Sequence, residues 1–312
     1  MKLLKPKALR RADIIGICAP ASPPNSEASL SRGISYLEQL GYRVEIGKNV
    51  WRKRGYLAGS DTQRASDLND FFSNPKIKAI FSVRGGYGSH RILPLLNYNL
   101  IKRHPKILVG YSDITALQLT LFAKAGLITF SGPMVASEMA EGLSGNAEEL
   151  FWRCLTSSKP IGFLRGKREK VYGPGKQKTA SGRLLGGNLS LTAALVGTPY
   201  FPTFDKSILL LEEIDERPYR IDRMLQQLKL AGVLRRTKGI VLGSFINCVA
   251  ERGKPSLTLR QALEKSLPQP YPLVVSGFHY GHVKNSLTFP IGIRVQLHSR
   301  TNAVQFLEAS VD

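Results

Sequence analysis

The sequence predicts an α/β fold: an N-terminal parallel α/β domain followed by a smaller, β-rich mixed C-terminal domain. Three observations carry that expectation. Short apolar runs alternate with helix-period segments through the first 135 residues, the pattern of a parallel sheet flanked by helices. A Gly/Lys/Pro-rich connector occupies residues 166–178. Beyond it come short alternating strands such as Ile293-Arg294-Val295-Gln296-Leu297. The connector divides the chain into residues 1–165 and 166–312.

Ile14–Ala19 reads as a buried strand that ends in the Pro20, Pro23 and Pro24 turn. Leu30, Ile34, Leu37 and Leu40 recur at helical spacing, and Gly41 supplies the stop. Arg43–Ile46 is a short second strand. Asp61–Phe72 carries Ala65, Leu68, Phe71 and Phe72 on one helical face and ends before Pro75. Ile77–Val83 is an apolar strand broken by Arg84-Gly85-Gly86-Tyr87-Gly88, after which Ser89–Leu96 starts a helix. Lys106–Val109 is a strand; Ile114, Leu117 and Leu121 mark the next helix, stopped by Gly126; Leu127–Phe130 is a further strand. A helical excursion surrounds Trp152. In the second half Ser207–Leu211 and Gly239–Phe245 read as strands and Tyr219–Leu230 as a helix.

The 312 residues suit one large domain or two ordinary ones, with a sizeable core in either case. A hydrophobic fraction of 43% with 21% charged residues excludes wholesale disorder. No apolar run approaches the roughly 18 residues of a membrane span. The basic N-terminus is followed only by Ile14–Ala19 and then Pro20, too short for the apolar core of a signal peptide. Cys18, Cys154 and Cys248 share no metal or redox spacing and read as buried thiols of a reducing compartment, so a cytoplasmic location is expected.

The net charge of +21 raises nucleic acid or a membrane surface as partners. The sequence offers no zinc-finger spacing and no basic helix with a reading face. Charge concentrates in the first eleven residues and in residues 159–183, and the latter stretch reads as a solvated linker.

Four segments could carry chemistry. In Gly110-Tyr111-Ser112-Asp113-Ile114-Thr115 a strand feeds a tight turn and a helix starts at once, the setting of a nucleophile elbow. The same residues also suit a plain helix cap. The Arg84–Gly88 loop lacks both the P-loop ending and the dinucleotide glycine spacing, so it reads as a donor of backbone N–H groups to a carbonyl, carboxylate or phosphate. Leu209-Leu210-Leu211-Glu212-Glu213 ends a strand in two acids. They alternate faces, so one can orient a histidine, unless both begin a solvated loop. Gly277-Phe278-His279-Tyr280-Gly281-His282 places two histidines in a glycine-flanked loop. No His/Cys cluster supports a metal, and no cofactor is expected.

Together these segments resemble the LD-carboxypeptidases of serine peptidase family S66, the muramoyltetrapeptide carboxypeptidases. The resemblance also rests on Thr129-Phe130-Ser131-Gly132-Pro133-Met134, Leu185-Gly186-Gly187-Asn188-Leu189 and Leu211–Arg220, in the family's order. It implies a Ser–Glu–His triad at Ser112, Glu212 and His282, a homodimer, and a substrate that is a cytoplasmic muropeptide tetrapeptide cut before its terminal D-alanine. On that reading the backbone N–H groups of Asp113 and Gly86 are the expected oxyanion-hole donors, and Arg84 is the expected partner of the D-alanine carboxylate. Two alternatives stand beside it. One is a microcin-type immunity hydrolase that cleaves acyl-aminonucleotides with the same triad. The other is a basic nucleic-acid-binding module in which the serine turn is only a cap.

Overall fold

A computed structural model describes residues 2–167, 178–267 and 272–312. Most of the expected 166–178 connector therefore lies outside the described residues, as do Arg168, Lys170 and Lys176 of the basic stretch.

Two sheets organise the chain. The first contains β1 (Ile14–Cys18), β2 (Arg43–Ile46), β3 (Ile77–Ser82), β4 (Ile107–Gly110) and β5 (Thr129–Ser131), in the order β5-β4-β3-β1-β2 and all parallel. The second contains β6 (Gly162–Arg165), β7 (Thr179–Asn188), β8 (Ile208–Ile214), β9 (Gly239–Ile246) and β10 (Leu273–Val275). A further strand, β11 (Phe289–Ile291), returns to the first sheet and pairs antiparallel with β5. β12 (Arg294–His298) and β13 (Ala303–Phe306) complete the second sheet, whose order is β10-β9-β8-β7-β12-β13-β6. Its β7–β10 half is parallel and its β12, β13 and β6 half antiparallel. The mixed second unit and the parallel first unit are thus both present. Two strands cross the expected boundary at 165/166: β6 precedes it yet joins the second sheet, and β11 follows it yet joins the first.

Ten helices cover these sheets among the described residues: α1 (Glu27–Gln39), α2 (Asp61–Ser73), α3 (Ser89–Ile92), α4 (Tyr98–Arg103), α5 (Thr115–Ala125), α6 (Gly145–Thr156), α7 (Leu189–Ala194), α8 (Pro218–Leu230), α9 (Val233–Arg236) and α10 (Leu259–Ser266). Local chemistry fixes their ends. The Ser26 hydroxyl accepts from the Ser29 N–H at the start of α1, and Ser60 with Gln63 forms a reciprocal capping box on α2. Gly126 adopts the left-handed conformation that closes α5.

α5 has no solvent face of consequence: Thr115 through Phe122 are all buried. An all-round buried helix needs partners on every side. It finds them in β5 and β11 of the first sheet, in α3 and α4, and in α7 and β7 of the second unit. This helix starts at Ser112's turn, so the junction between the two units lies beside that serine. Among the described residues no helix is long and apolar enough to cross a membrane.

Candidate active site

β4 ends at Gly110, and residues 112–114 make a single 3₁₀ turn into α5. Ser112 sits in the left-handed region with φ of 61°, a conformation that costs a non-glycine residue roughly 1–3 kcal/mol and persists where the surroundings enforce it. The turn lifts Oγ above the carboxyl edge of the first sheet, where open α/β sheets place their working groups. The Arg84–Gly88 loop passes over it. A Cβ on Gly85 would lie 3.1 Å from Ser112 Oγ and 3.5 Å from the Asp113 nitrogen, so only a bare backbone leaves access to the hydroxyl.

The structure brings Ser112, His282 and Glu212 into one hydrogen-bonded chain. His282 Nε2 lies 3.0 Å from Ser112 Oγ, and its Nδ1 lies 2.8 Å from Glu212 Oε2. A carboxylate only accepts, so Nδ1 carries the proton and Nε2 presents its lone pair to the serine. Glu212 is buried at the end of β8, and its Oε1 has no hydrogen-bond partner among the described residues. The loop that carries His282 closes tightly on this acid. Gly281 has φ of 111°, and a Cβ there would fall 2.5 Å from Glu212 Oε2. No side chain other than hydrogen fits.

The second acid, Glu213, is buried rather than solvated and points the other way. Its carboxylate accepts from Asn188 Nδ2, from the Ile214 N–H, and from the N–H and hydroxyl of Ser190. It thereby caps α7 and fixes the end of β7. His279, the other histidine of the loop, turns away: its Nε2 lies 2.6 Å from the Lys284 carbonyl oxygen. The Asp113 carboxylate is buried and accepts from the Ser89 N–H at the start of α3, which leaves only its backbone facing the serine side. The Gly86 N–H has no hydrogen-bond partner among the described residues. Arg84 donates to Asn25 Oδ1, just ahead of α1.

Three residues that the sequence did not single out complete the surroundings. The Tyr111 ring packs against the His282 imidazole with centroids 5.0 Å apart, and its hydroxyl donates to Glu138 Oε1 at 2.7 Å. Glu138 Oε2 accepts from the Met134 N–H and the Ser137 hydroxyl, both at 2.8 Å. Glu138 rides on a single π-helical turn, Val135–Met139, and such turns recur at functional sites. Arg64, fully buried in α2, donates to the carbonyls of Pro20 and Gly88 and to Asp61, which ties the Gly88 end of the loop above the serine to the turn that follows β1.

Burial pulls the His282 pKa down, but the hydrogen bond and charge of Glu212 outweigh it, with Glu213 and Glu138 adding to them. The net result lies above the ordinary histidine value. Burial, followed by the charge of Glu138, pushes the Tyr111 hydroxyl well up, so it remains a donor. Among the described residues no group of three or more His, Cys, Asp or Glu side chains is placed to hold a metal ion. A serine hydroxyl, an imidazole with its lone pair on it, and a buried carboxylate behind the imidazole can perform nucleophilic acyl transfer.

The chain matches two family models, the LD-carboxypeptidase N-terminal domain over residues 15–132 and the LD-carboxypeptidase C-terminal domain over residues 181–297. It is 38% identical to a probable murein peptide carboxypeptidase of Bacillus subtilis, over 95% of this chain and 92% of that protein. The crystal structure of muramoyltetrapeptide carboxypeptidase from Oxalobacter formigenes superposes with a TM-score of 0.81 at 31% identity, covering 94% of this chain and 97% of the other. The microcin C7 self-immunity protein MccF in complex with aspartyl sulfamoyl adenosine superposes with a TM-score of 0.88 at 26% identity, covering 99% and 100%.

Proposed function

The chain belongs to the LD-carboxypeptidase family, and from that premise we propose that it is a serine carboxypeptidase that removes the terminal D-alanine from muropeptide tetrapeptides. The observation that carries the reading is the continuous Ser112–His282–Glu212 hydrogen-bond chain at the carboxyl edge of the first sheet. His282 Nε2 takes the Ser112 proton as Oγ attacks the carbonyl carbon that precedes D-alanine. The backbone N–H groups of Asp113 and Gly86 receive the oxyanion, and His282 then gives its proton to the leaving amine. Water hydrolyses the acyl-enzyme by the same route in reverse. Arg84, already oriented by Asn25, attracts the carboxylate of the leaving D-alanine.

The direct test is incubation of the purified protein with muropeptide tetrapeptide and an assay for free D-alanine. The expected outcome is stoichiometric D-alanine and tripeptide. The similarity to the microcin self-immunity protein supplies the rival outcome: release of aspartate from aspartyl sulfamoyl adenosine, with the tetrapeptide left intact. The substrate reading carries with it a cytoplasmic location and the homodimer, which sedimentation at micromolar concentration checks. No nucleic acid enters the mechanism.

A base that must be neutral to work gives a definite pH dependence. Activity rises as pH climbs through the His282 pKa, so the acid limb of kcat/KM has its midpoint above the ordinary histidine value. Glu138 contributes negative charge near the ring, so Glu138→Gln should move that midpoint to lower pH. The plateau activity should change far less than in a variant of the triad. An acid limb identical to that of the parent protein would remove Glu138 from the electrostatics of the site.

A further inference from the structure

A second cavity lies away from the triad. It measures about 700 Å³ and lies at the opposite end of the first sheet, where β1, β3 and β4 begin. Lys106 directly precedes β4 and Ser112 follows it, so the two sites are separated by about 20 Å of extended chain. Six basic groups from three segments line this cavity: Lys7, Arg10, Lys78, Arg103, His104 and Lys106. The acids among its walls are Asp13, whose carboxylate accepts the Arg10 N–H, and Asp312. Among the described residues no carboxylate lies within 4 Å of the Lys7, Arg10, Lys78, Arg103 or Lys106 cations.

Lys106 sets this cavity apart from a merely basic surface. Its side chain is almost wholly buried, and the ammonium donates to the carbonyls of Phe71 and Asn74 at the C-terminal end of α2. Those contacts explain why the chain tolerates a lysine here, because a cation suits the negative end of a helix. They do not neutralise it. An ammonium has three N–H groups, and two are used. A buried cation surrounded by other cations is stabilised by an anion, and this cavity has room for one. Pro75, Ile77 and Pro105 add apolar wall beside the charges.

We propose that this cavity is a binding site for a small molecule bearing clustered phosphates, such as a nucleoside triphosphate or a short inorganic polyphosphate, with Lys106 as the buried anchor and Lys78 and Arg103 as exposed clamps. Clustered phosphates fit because one held cation and several exposed ones line a volume too small for a folded partner. The proposal is separate from the triad's chemistry, and its test does not use cleavage.

Burial and the charge of Lys78 push the Lys106 ammonium down to about 8. A phosphate placed against it favours the charged form, so the complex holds more protons than its components near pH 8. Titration calorimetry with inorganic tripolyphosphate and with ATP, at pH 8 and low salt without divalent metal, should therefore show binding, and with ATP, whose phosphates are already deprotonated at that pH, net proton uptake by the protein. The uptake is read by repeating the titration in two buffers of different ionisation enthalpy. The Lys78→Ala/Arg103→Ala double variant, altered only at exposed positions, should weaken binding by about tenfold or more. The Lys229→Ala/Lys238→Ala variant has the same net charge and should bind within about twofold of the parent protein. Lys106→Met should abolish the proton uptake. Absence of tripolyphosphate binding at millimolar concentration, equal losses in the two double variants, or retention of a single-stranded DNA with no affinity for tripolyphosphate would each overturn the proposal.

Discussion

Replacing Ser112 by alanine is expected to lower D-alanine release by about 10⁵- to 10⁶-fold, because the attacking atom itself is removed. The fold should survive. Serine and alanine carry the same backbone penalty at φ of 61°, and the lost contact is one hydrogen bond to His282, worth about 1 kcal/mol. Thermal melting should therefore shift by only a few degrees. A more demanding version uses non-additivity. Once the nucleophile is gone the base has nothing to activate, so adding His282→Ala to Ser112→Ala should cost almost nothing further. If the two losses multiplied, the residues would be acting separately and the shared mechanism would fall.

Glu212→Gln is expected to cost about 10⁴-fold in kcat while leaving binding largely intact. The amide is nearly isosteric, but the pocket around it is specific. One oxygen of Glu212 accepts from His282 Nδ1, and the other is buried with no donor or acceptor at hand among the described residues. Holding the glutamine oxygen toward Nδ1 would strand its NH₂ group in that unpartnered position. Turning the amide over satisfies it by donating to Nδ1, which forces the imidazole proton onto Nε2. The serine then faces an N–H instead of a lone pair. The residual activity should have its acid limb at lower pH, because burial still depresses the His282 pKa and the largest opposing charge has gone. A residual activity whose pH profile matched the parent protein would mean that Glu212 does not bear on the histidine.

The three members of the hydrogen-bonded chain were legible in the sequence because each is announced by a change of backbone regime. Ser112 stands where an apolar strand meets a helix, Glu212 where three leucines end, and His282 directly after a glycine. Which acid serves the histidine was not legible from the residues alone. Neighbours in an extended chain point to opposite faces, and the choice is made by the placement of β8 between β7 and β9, with a register shift on the β9 side between Leu211 and Glu213. Tyr111 and Glu138 were hidden for a different reason. Their meeting depends on a π turn and on distance across the chain, and neither leaves a periodic signal. β7 escaped notice because Gly182, Gly186 and Gly187 interrupt its apolar pattern, although it runs for ten residues. Arg64 lies four residues before Leu68, on the apolar face of its helix, but a single arginine there gives no sign in the sequence of its bonds to the carbonyls of Pro20 and Gly88.

The route of the chain after His282 has a consequence for heredity. Seven residues beyond the histidine, β11 pairs with β5, and β6 makes the reciprocal journey into the second sheet. Each half of the gene thus encodes an edge that only the other half can cover. A recombination event that joined the first half of one lineage to the second half of another would have to match both strand pairings at once, or leave bare sheet edges prone to aggregation. Ser112 and His282, hydrogen-bonded yet 170 residues apart, are on this account expected to be inherited together.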